Sequence, residues 1–161
     1  MSLSKAEVLA LVPQQRPMRF IDDIVEVDDE HIVGTYTWKE EDCAGHFPGN
    51  PVVPGVKLIE MAAQVGNVAW AIYLMSRDPG AGDVRNMVGF FTRIEQGDFK
   101  KVVRPGDKLR AEAQFGDEGY FRASKLAACV EIRFDGGPKD GELAFEGFTC
   151  GMWVPREQVA G

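Results

Sequence analysis

Histidine is the scarcest reactive residue in this 161-residue chain, which holds only His31 and His46. A metal centre built on several imidazoles is therefore excluded, and no His/Cys cluster has ligand spacing. Cysteine is also sparse. Cys43, Cys129 and Cys150 are odd in number and none sits in a C-x-x-C pair, so they read as reduced thiols of a cytoplasmic protein rather than a disulfide framework. Basic charge is in deficit, with 18 Lys and Arg against 25 Asp and Glu and a net charge of -7. Nucleic acid and anionic membrane surfaces, which both need a cationic face, start at a disadvantage. The longest uninterrupted apolar run, residues 68–75, is far short of the roughly 20 residues that span a bilayer. No basic start followed by an apolar run marks a leader, and no membrane insertion is expected. Repeats and low-complexity linkers are absent too, which leaves one domain over residues 1–161.

What is present is patterned. Residues 6–11 form a short helical start. Residues 20–27 and 32–38 are rich in β-branched and aromatic side chains and flank Asp28-Asp29-Glu30, which predicts a hairpin. Residues 39–54 carry Gly45, Pro48, Gly49, Pro51 and Pro54 and predict an ordered loop. A long helix is predicted over residues 56–75. After it the period changes to two, with strands expected at 87–94, 99–103, 109–115, 126–134 and 142–153, and a turn at 135–141. The class is α+β.

The helix is apolar around most of its circumference, so other elements must enclose it, and only sheet is available. An antiparallel sheet wrapped around one long central helix is the economical architecture. Lys57, Glu60, Gln64 and Asn67 break the apolar surface at spacings of 3, 4 and 3, which places them on one stripe.

The chemistry concentrates just before that helix, in AGHFPGNPVVPGV at residues 44–56. Its prolines hold the backbone extended, and its glycines permit close approach. The segment ends at a helix N-terminus, where free N–H groups favour an anion or a developing oxyanion. Gly55 brings such an N–H near a ligand carbonyl. His46 supplies an imidazole that can take a proton, and Glu60, set in an apolar helix, supplies a carboxyl that can give one. A base, an acid and an oxyanion donor match proton abstraction beside a thioester carbonyl with loss of a hydroxyl. Each residue also has a plainer reading. A loop histidine can be structural, Lys57 can pair with Glu60, Gln64 can close a polar contact, and Cys43 can be a small buried apolar residue rather than a nucleophile. His31, after three acidic residues, reads as solvated surface.

GHFPGNPVVPG at residues 45–55, followed by LIEMAAQ at residues 58–64, resembles the signature of the 3-hydroxyacyl-(acyl-carrier-protein) dehydratases of bacterial fatty-acid synthesis. RPMRFID at 16–22 and FKKVVRPGD at 99–107 are similar to further segments of that family, so the likeness covers most of the chain. It implies the hotdog fold and a lyase that turns (3R)-3-hydroxyacyl thioesters on acyl carrier protein into trans-2-enoyl thioesters. His46 would be the base and Glu60 the acid, directly or through water. The Gly55 N–H would hold the thioester oxygen, the Val52 carbonyl would orient His46, and Phe47 and Gln64 would contact substrate. No metal or organic cofactor is implied. The resemblance implies a homodimer, or a trimer of dimers, whose sites draw His and Glu from different subunits. Val53 stands where the family usually has Met, and Met61-Ala62 replaces the commoner Ala-Met; both bear on acyl length. Glu60, rather than Asp in an Asp-Ala-Met-Trp run, is similar to the non-isomerising branch.

Residues 98–110 hold five basic and two acidic side chains, a local charge of +3 that leaves -10 for the rest. Lys100, Lys101 and Arg104 are thus candidates to steer an acidic carrier protein. Two alternatives remain at this level: a hotdog acyl-thioesterase, and a non-catalytic acyl-binding hotdog protein.

Overall fold

The computed structural model describes residues 2–161. Helix α1 (Lys5–Leu11) is opened by a reciprocal cap, in which the Ser4 hydroxyl accepts from the Glu7 N–H and the Glu7 carboxylate accepts from the Ser4 N–H. Strands β1 (Asp23–Val27) and β2 (His31–Thr37) form the expected hairpin. Asp28 closes its turn by accepting from the Glu30 and His31 N–H groups at 2.7 and 2.9 Å.

The central helix, α2 (Gly55–Arg77), has 23 residues and would be long and apolar enough to cross a bilayer. Here 89% of its apolar window is buried within the protein, so this is a core helix. It runs as α-helix over Gly55–Ala63, widens to a π-helix over Gln64–Ala69, and returns to α-helix over Trp70–Arg77. Five strands follow: β3 (Met87–Phe99), β4 (Lys108–Gln114), β5 (Tyr120–Arg122), β6 (Lys125–Phe134) and β7 (Leu143–Pro155). All pairings are antiparallel in the order β1-β2-β4-β6-β7-β3, with β5 attached to β6.

The period-two pattern does its work in β4 and β6. Leu109, Ala111, Ala113, Leu126, Ala128, Val130 and Ile132 are buried against the helix, while Lys108, Glu112, Glu131 and Arg133 face water. Small residues let helix and sheet approach closely. A Cβ on Gly66 would lie 3.0 Å from Val130 Cγ2, and one on Gly34 would lie 2.9 Å from Val65 Cγ2.

Two expectations need correction. Residues 99–103 are not a separate strand. β3 continues to Phe99 because irregularities between Phe91 and Arg93 and between Glu95 and Asp98 absorb the apparent break at Gln96-Gly97. The chain then leaves the sheet. Strand β5 is an addition to the expected set, and its three residues are too few to show a period. One edge of the sheet is unusual: β3, at its end, exposes Phe90, Phe91 and Phe99.

Candidate active site

The loop carrying His46 is braced before it arrives. A 3-10 turn, Glu40–Cys43, buries Asp42, whose carboxylate accepts from the Tyr36 hydroxyl at 2.8 Å and the Lys39 N–H at 2.9 Å. Burial, and then the Asp42 carboxylate, push the Tyr36 phenol far above its ordinary range, so it remains the donor. The Lys57 ammonium donates to the Asp42 carbonyl at 2.7 Å. Lys57 therefore ties α2 to the loop and does not pair with Glu60.

Within the loop, the His46 N–H donates to Cys43 and the Val52 N–H donates to His46, both at 2.8 Å. Phe47 and Asn50 exchange backbone bonds at 3.0 Å, and Gly45 and Gly49 take positive φ angles of 80° and 73°. The Arg104 guanidinium donates to the Asn50 side-chain oxygen at 2.9 Å and the Pro51 carbonyl at 3.3 Å. Val53 donates to the Val103 carbonyl at 2.9 Å. These bonds set the imidazole: Nδ1 lies 2.9 Å from the Val52 carbonyl oxygen. A carbonyl only accepts, so Nδ1 carries the hydrogen and the neutral ring presents its lone pair at Nε2. The half-buried ring stacks on Phe47, which is itself 54% exposed.

Gly55 heads α2, where first-turn N–H groups have no intrahelical acceptor. Its missing side chain has a reason. A Cβ there would lie 2.9 Å from the Phe99 ring, so only glycine lets that ring cover the helix start.

Glu60 lies further along the same helix, half-buried. Its Oε1 accepts from Gln64 Nε2 at 2.9 Å. Gln64 is fully buried, gives its other hydrogen to the Met18 carbonyl at 2.6 Å, and accepts from the Phe20 N–H at 2.7 Å. Both of its hydrogens are thus used within the chain. The carboxamide braces Glu60 against the 18–20 segment. Glu60 borders a cavity of about 130 Å³, lined by Gln14, Ala63, Asn67, Val68, Gly89, Phe90 and Phe91. His46 is not on it.

The remaining candidates divide. Lys100 lies 3.5 Å from Glu146 and 3.8 Å from Asp98, and Lys101 lies 3.5 Å from Glu142. The surplus counted along the chain is thus largely offset across the fold. Arg104 is bound to the His46 loop rather than to a carboxylate. Burial, reinforced by Asp42, pushes the Cys43 thiol above its ordinary pKa, contrary to what a nucleophile needs. His31 bonds Glu26 at 2.9 Å and Asp28 at 3.0 Å, so it is a hairpin clamp rather than a merely solvated side chain.

A family model described as ApeI-like, ApeI dehydratase, matches residues 26–131. The chain is 37% identical over 144 residues to the 3-hydroxyacyl-(acyl-carrier-protein) dehydratase FabZ of Thermomicrobium roseum, covering 88% of this chain and 86% of that one. It is 40% identical to FabZ of Chloroflexus aggregans, covering 82% and 94%. This chain belongs to the hotdog dehydratase family. Among solved structures of the fold, the dehydratase heterocomplex ApeI:P of Xenorhabdus doucetiae aligns with a TM-score of 0.73 at 17% identity, over 94% of this chain and 93% of that one. The thioesterase HI1161 of Haemophilus influenzae aligns with a TM-score of 0.65 at 13% identity, over 96% and 93%. The hotdog scaffold therefore hosts more than one reaction, and the choice among them rests on the site.

Gln14, Phe90 and Phe91 line the cavity beside Glu60, and sequence reasoning does not single them out. The adjacent pair Phe90-Phe91 on a predicted strand is the one available signal, because two adjacent aromatics cannot both face a single core.

Proposed function

We propose that this dehydratase removes water from (3R)-3-hydroxyacyl thioesters carried on acyl carrier protein, giving trans-2-enoyl thioesters in bacterial fatty-acid synthesis. The observation that carries the assignment of roles is the 2.9 Å contact of His46 Nδ1 with the Val52 carbonyl. It leaves Nε2 as the base that takes the proton from C2. Electron density moves toward the thioester oxygen, which the first-turn N–H groups of α2, Gly55 foremost, hold as it becomes negative. Glu60, braced by Gln64, gives its proton to the C3 hydroxyl; the C–O bond breaks and water leaves. The C2–C3 double bond takes up the electrons released at C2, so atoms and charge balance.

His46 and Glu60 meet across a homodimer. Supporting this are the absence of His46 from the Glu60 cavity and the exposed aromatics of edge strand β3. An edge of 13 residues with open backbone groups is a template for a second copy of itself. Pairing there covers Phe90 and Phe91 and sets the His46 loop of one subunit beside Glu60 of the other. The cytoplasm, where carrier-bound intermediates are made, is the proposed compartment.

Product mass tests the reaction. A 3-hydroxyacyl carrier protein that loses the mass of one water supports dehydration. Release of the free acid would move the chain to the thioesterases, and an unchanged substrate would leave a binding protein. His46→Ala and Glu60→Gln should each abolish dehydration without altering the oligomer; near-normal rates in either variant refute the base and acid roles.

A further inference from the structure

Lys57 takes no part in the steps above, yet its placement calls for a reason. It is a cation on the first turn of α2, the end where the helix macrodipole favours anions, and no acidic residue stands on that turn to offset it. Its ammonium has one hydrogen-bond partner among the described residues, the Asp42 carbonyl at 2.7 Å. The Phe20 ring, with its centroid 5.6 Å from the ammonium, lies within cation–π range. A charge set against the helix field and spent on one carbonyl is placed for what it reaches.

What it reaches is a fixed point. The buried Asp42 carboxylate accepts from the Tyr36 hydroxyl and the Lys39 N–H, and Tyr36 is itself buried in β2, opposite Leu109 of β4. The next carbonyl along, that of Cys43, accepts from the His46 N–H at 2.8 Å. Only Cys43 and one hydrogen bond therefore separate the anchored carbonyl from the backbone of the base. At the other end, Lys57 stands two residues after Gly55. Its bond closes residues 42–57 into one loop, and His46, Val52 and Gly55 all lie between the two ends. Among the described residues it is the one side-chain hydrogen bond that joins this segment to α2.

We propose that Lys57 is a positioning residue for the dehydration. By holding the Asp42 carbonyl it fixes the base-bearing loop against the start of α2. His46 Nε2 and the first-turn N–H groups then meet C2 and the thioester oxygen of the same substrate together. Lys57 neither gives nor takes a proton in the reaction. Its effect is on distance, and a misplacement of about 1 Å between reacting groups costs on the order of 100-fold in rate.

This inference rests on the dehydratase reading, and its test keeps the two apart. Lys57→Met, which keeps the length and removes the donor, should lower kcat on 3-hydroxyacyl carrier protein about 10- to 100-fold and leave KM within about twofold. With substrate deuterated at C2, its isotope effect on kcat should exceed that of wild type, because proton abstraction has become the slow step. A role in stability alone would not move that ratio. Lys57→Arg, which can donate to the same carbonyl, should restore kcat to within about threefold of wild type. A folded Lys57→Met with wild-type kcat overturns the proposal, as does a raised KM at unchanged kcat, which would make Lys57 a substrate contact. Should Lys57→Met fail to fold, Lys57→Gln, whose shorter neutral side chain stops short of the carbonyl, is held to the same outcomes. A wild type that dehydrates no 3-hydroxyacyl thioester refutes the reading and this role with it; an active wild type with an indifferent Lys57→Met refutes the role alone.

Discussion

Gln64→Leu removes a side chain that holds three groups together at the centre of the site. Its carboxamide is fully buried, accepts from the Phe20 N–H at 2.7 Å, and donates to the Met18 carbonyl at 2.6 Å and to Glu60 at 2.9 Å. Leucine fills similar volume, so the cavity contribution is small and the polar loss dominates. Phe20 is itself fully buried, and its N–H would have no alternative partner, at a cost of about 1–3 kcal/mol. The Met18 carbonyl belongs to a residue with 48% exposure and can turn to water, so it adds only the net value of a bond, about 1 kcal/mol. The total is about 2–4 kcal/mol.

For a chain of this size each kcal/mol moves Tm by about 2–4 °C, so Gln64→Leu should melt roughly 4–16 °C lower in a thermal scan monitored by circular dichroism. Glu60→Gln is the control. It keeps an oxygen for Gln64 and should melt within about 2 °C of wild type, while turnover falls at least about 100-fold for loss of a general acid. A Gln64→Leu variant that melts within about 2 °C of wild type would show that the brace does not hold the 18–20 segment. The inferred positioning of Glu60 would fail with it.

Three further outcomes follow from the same geometry. His31 has its pKa raised, chiefly by its bond to Glu26 and then by Asp28; Glu26 is lowered chiefly by that same bond, and Asp28 chiefly by the Glu30 N–H and then by His31. The clamp is therefore complete between the carboxylate and imidazole ranges. Its histidine share is lost as pH rises through the raised folded value, so His31→Gln should lower Tm at about pH 5.5 and leave it nearly unchanged at about pH 9. Phe90→Asp at the exposed β3 edge should convert the oligomer to monomer by light scattering and abolish turnover; a monomer with full activity would refute a shared site. Charge reversal of Lys100 and Lys101 should slow turnover several-fold on carrier-bound substrate and spare short thioester analogues, whereas equal loss on both would remove these lysines from carrier docking.

The helix is legible in the sequence from its long apolar run, the hairpin from β-branched and aromatic residues around an acidic turn, and β4 and β6 from alternation over many residues. Leu109, Ala111 and Ala113 alternate into the core, and no long-range fact is needed to see it. The failures share a cause in non-local pairing. Residues 99–103, with one Phe and two Val, read as strand, yet the Val103 carbonyl accepts from the Val53 N–H in the His46 loop, a partner far back in the chain. The lysine patch stands out along the chain, while Glu142 and Glu146, which offset it, arrive from β7 and the turn before it. Gln14 lies in a segment without any period. Its place is set by Arg19, whose guanidinium gathers the Leu9, Val12 and Gln14 carbonyls.

The candidate site shows the same division at finer scale. His46, Val52 and Gly55 belong to one short segment, and the local chemistry of glycine, proline and histidine is enough to single them out. What each does is decided by groups the segment does not contain. The Val52 bond fixes the lone pair at Nε2, but it can do so only because Arg104, Val103 and the Asp42–Tyr36 pair hold the loop from outside. Glu60 is likewise a carboxyl on an apolar helix until Gln64 ties it to Met18 and Phe20. His46 does not line the Glu60 cavity of its own chain, and the β3 edge at the end of the sheet is the feature of the fold suited to bring the two together across a pair of subunits. A substitution that leaves every residue of the motif in place, such as Phe90→Asp, should abolish the reaction as fully as loss of His46, because the base would have no acid to work with.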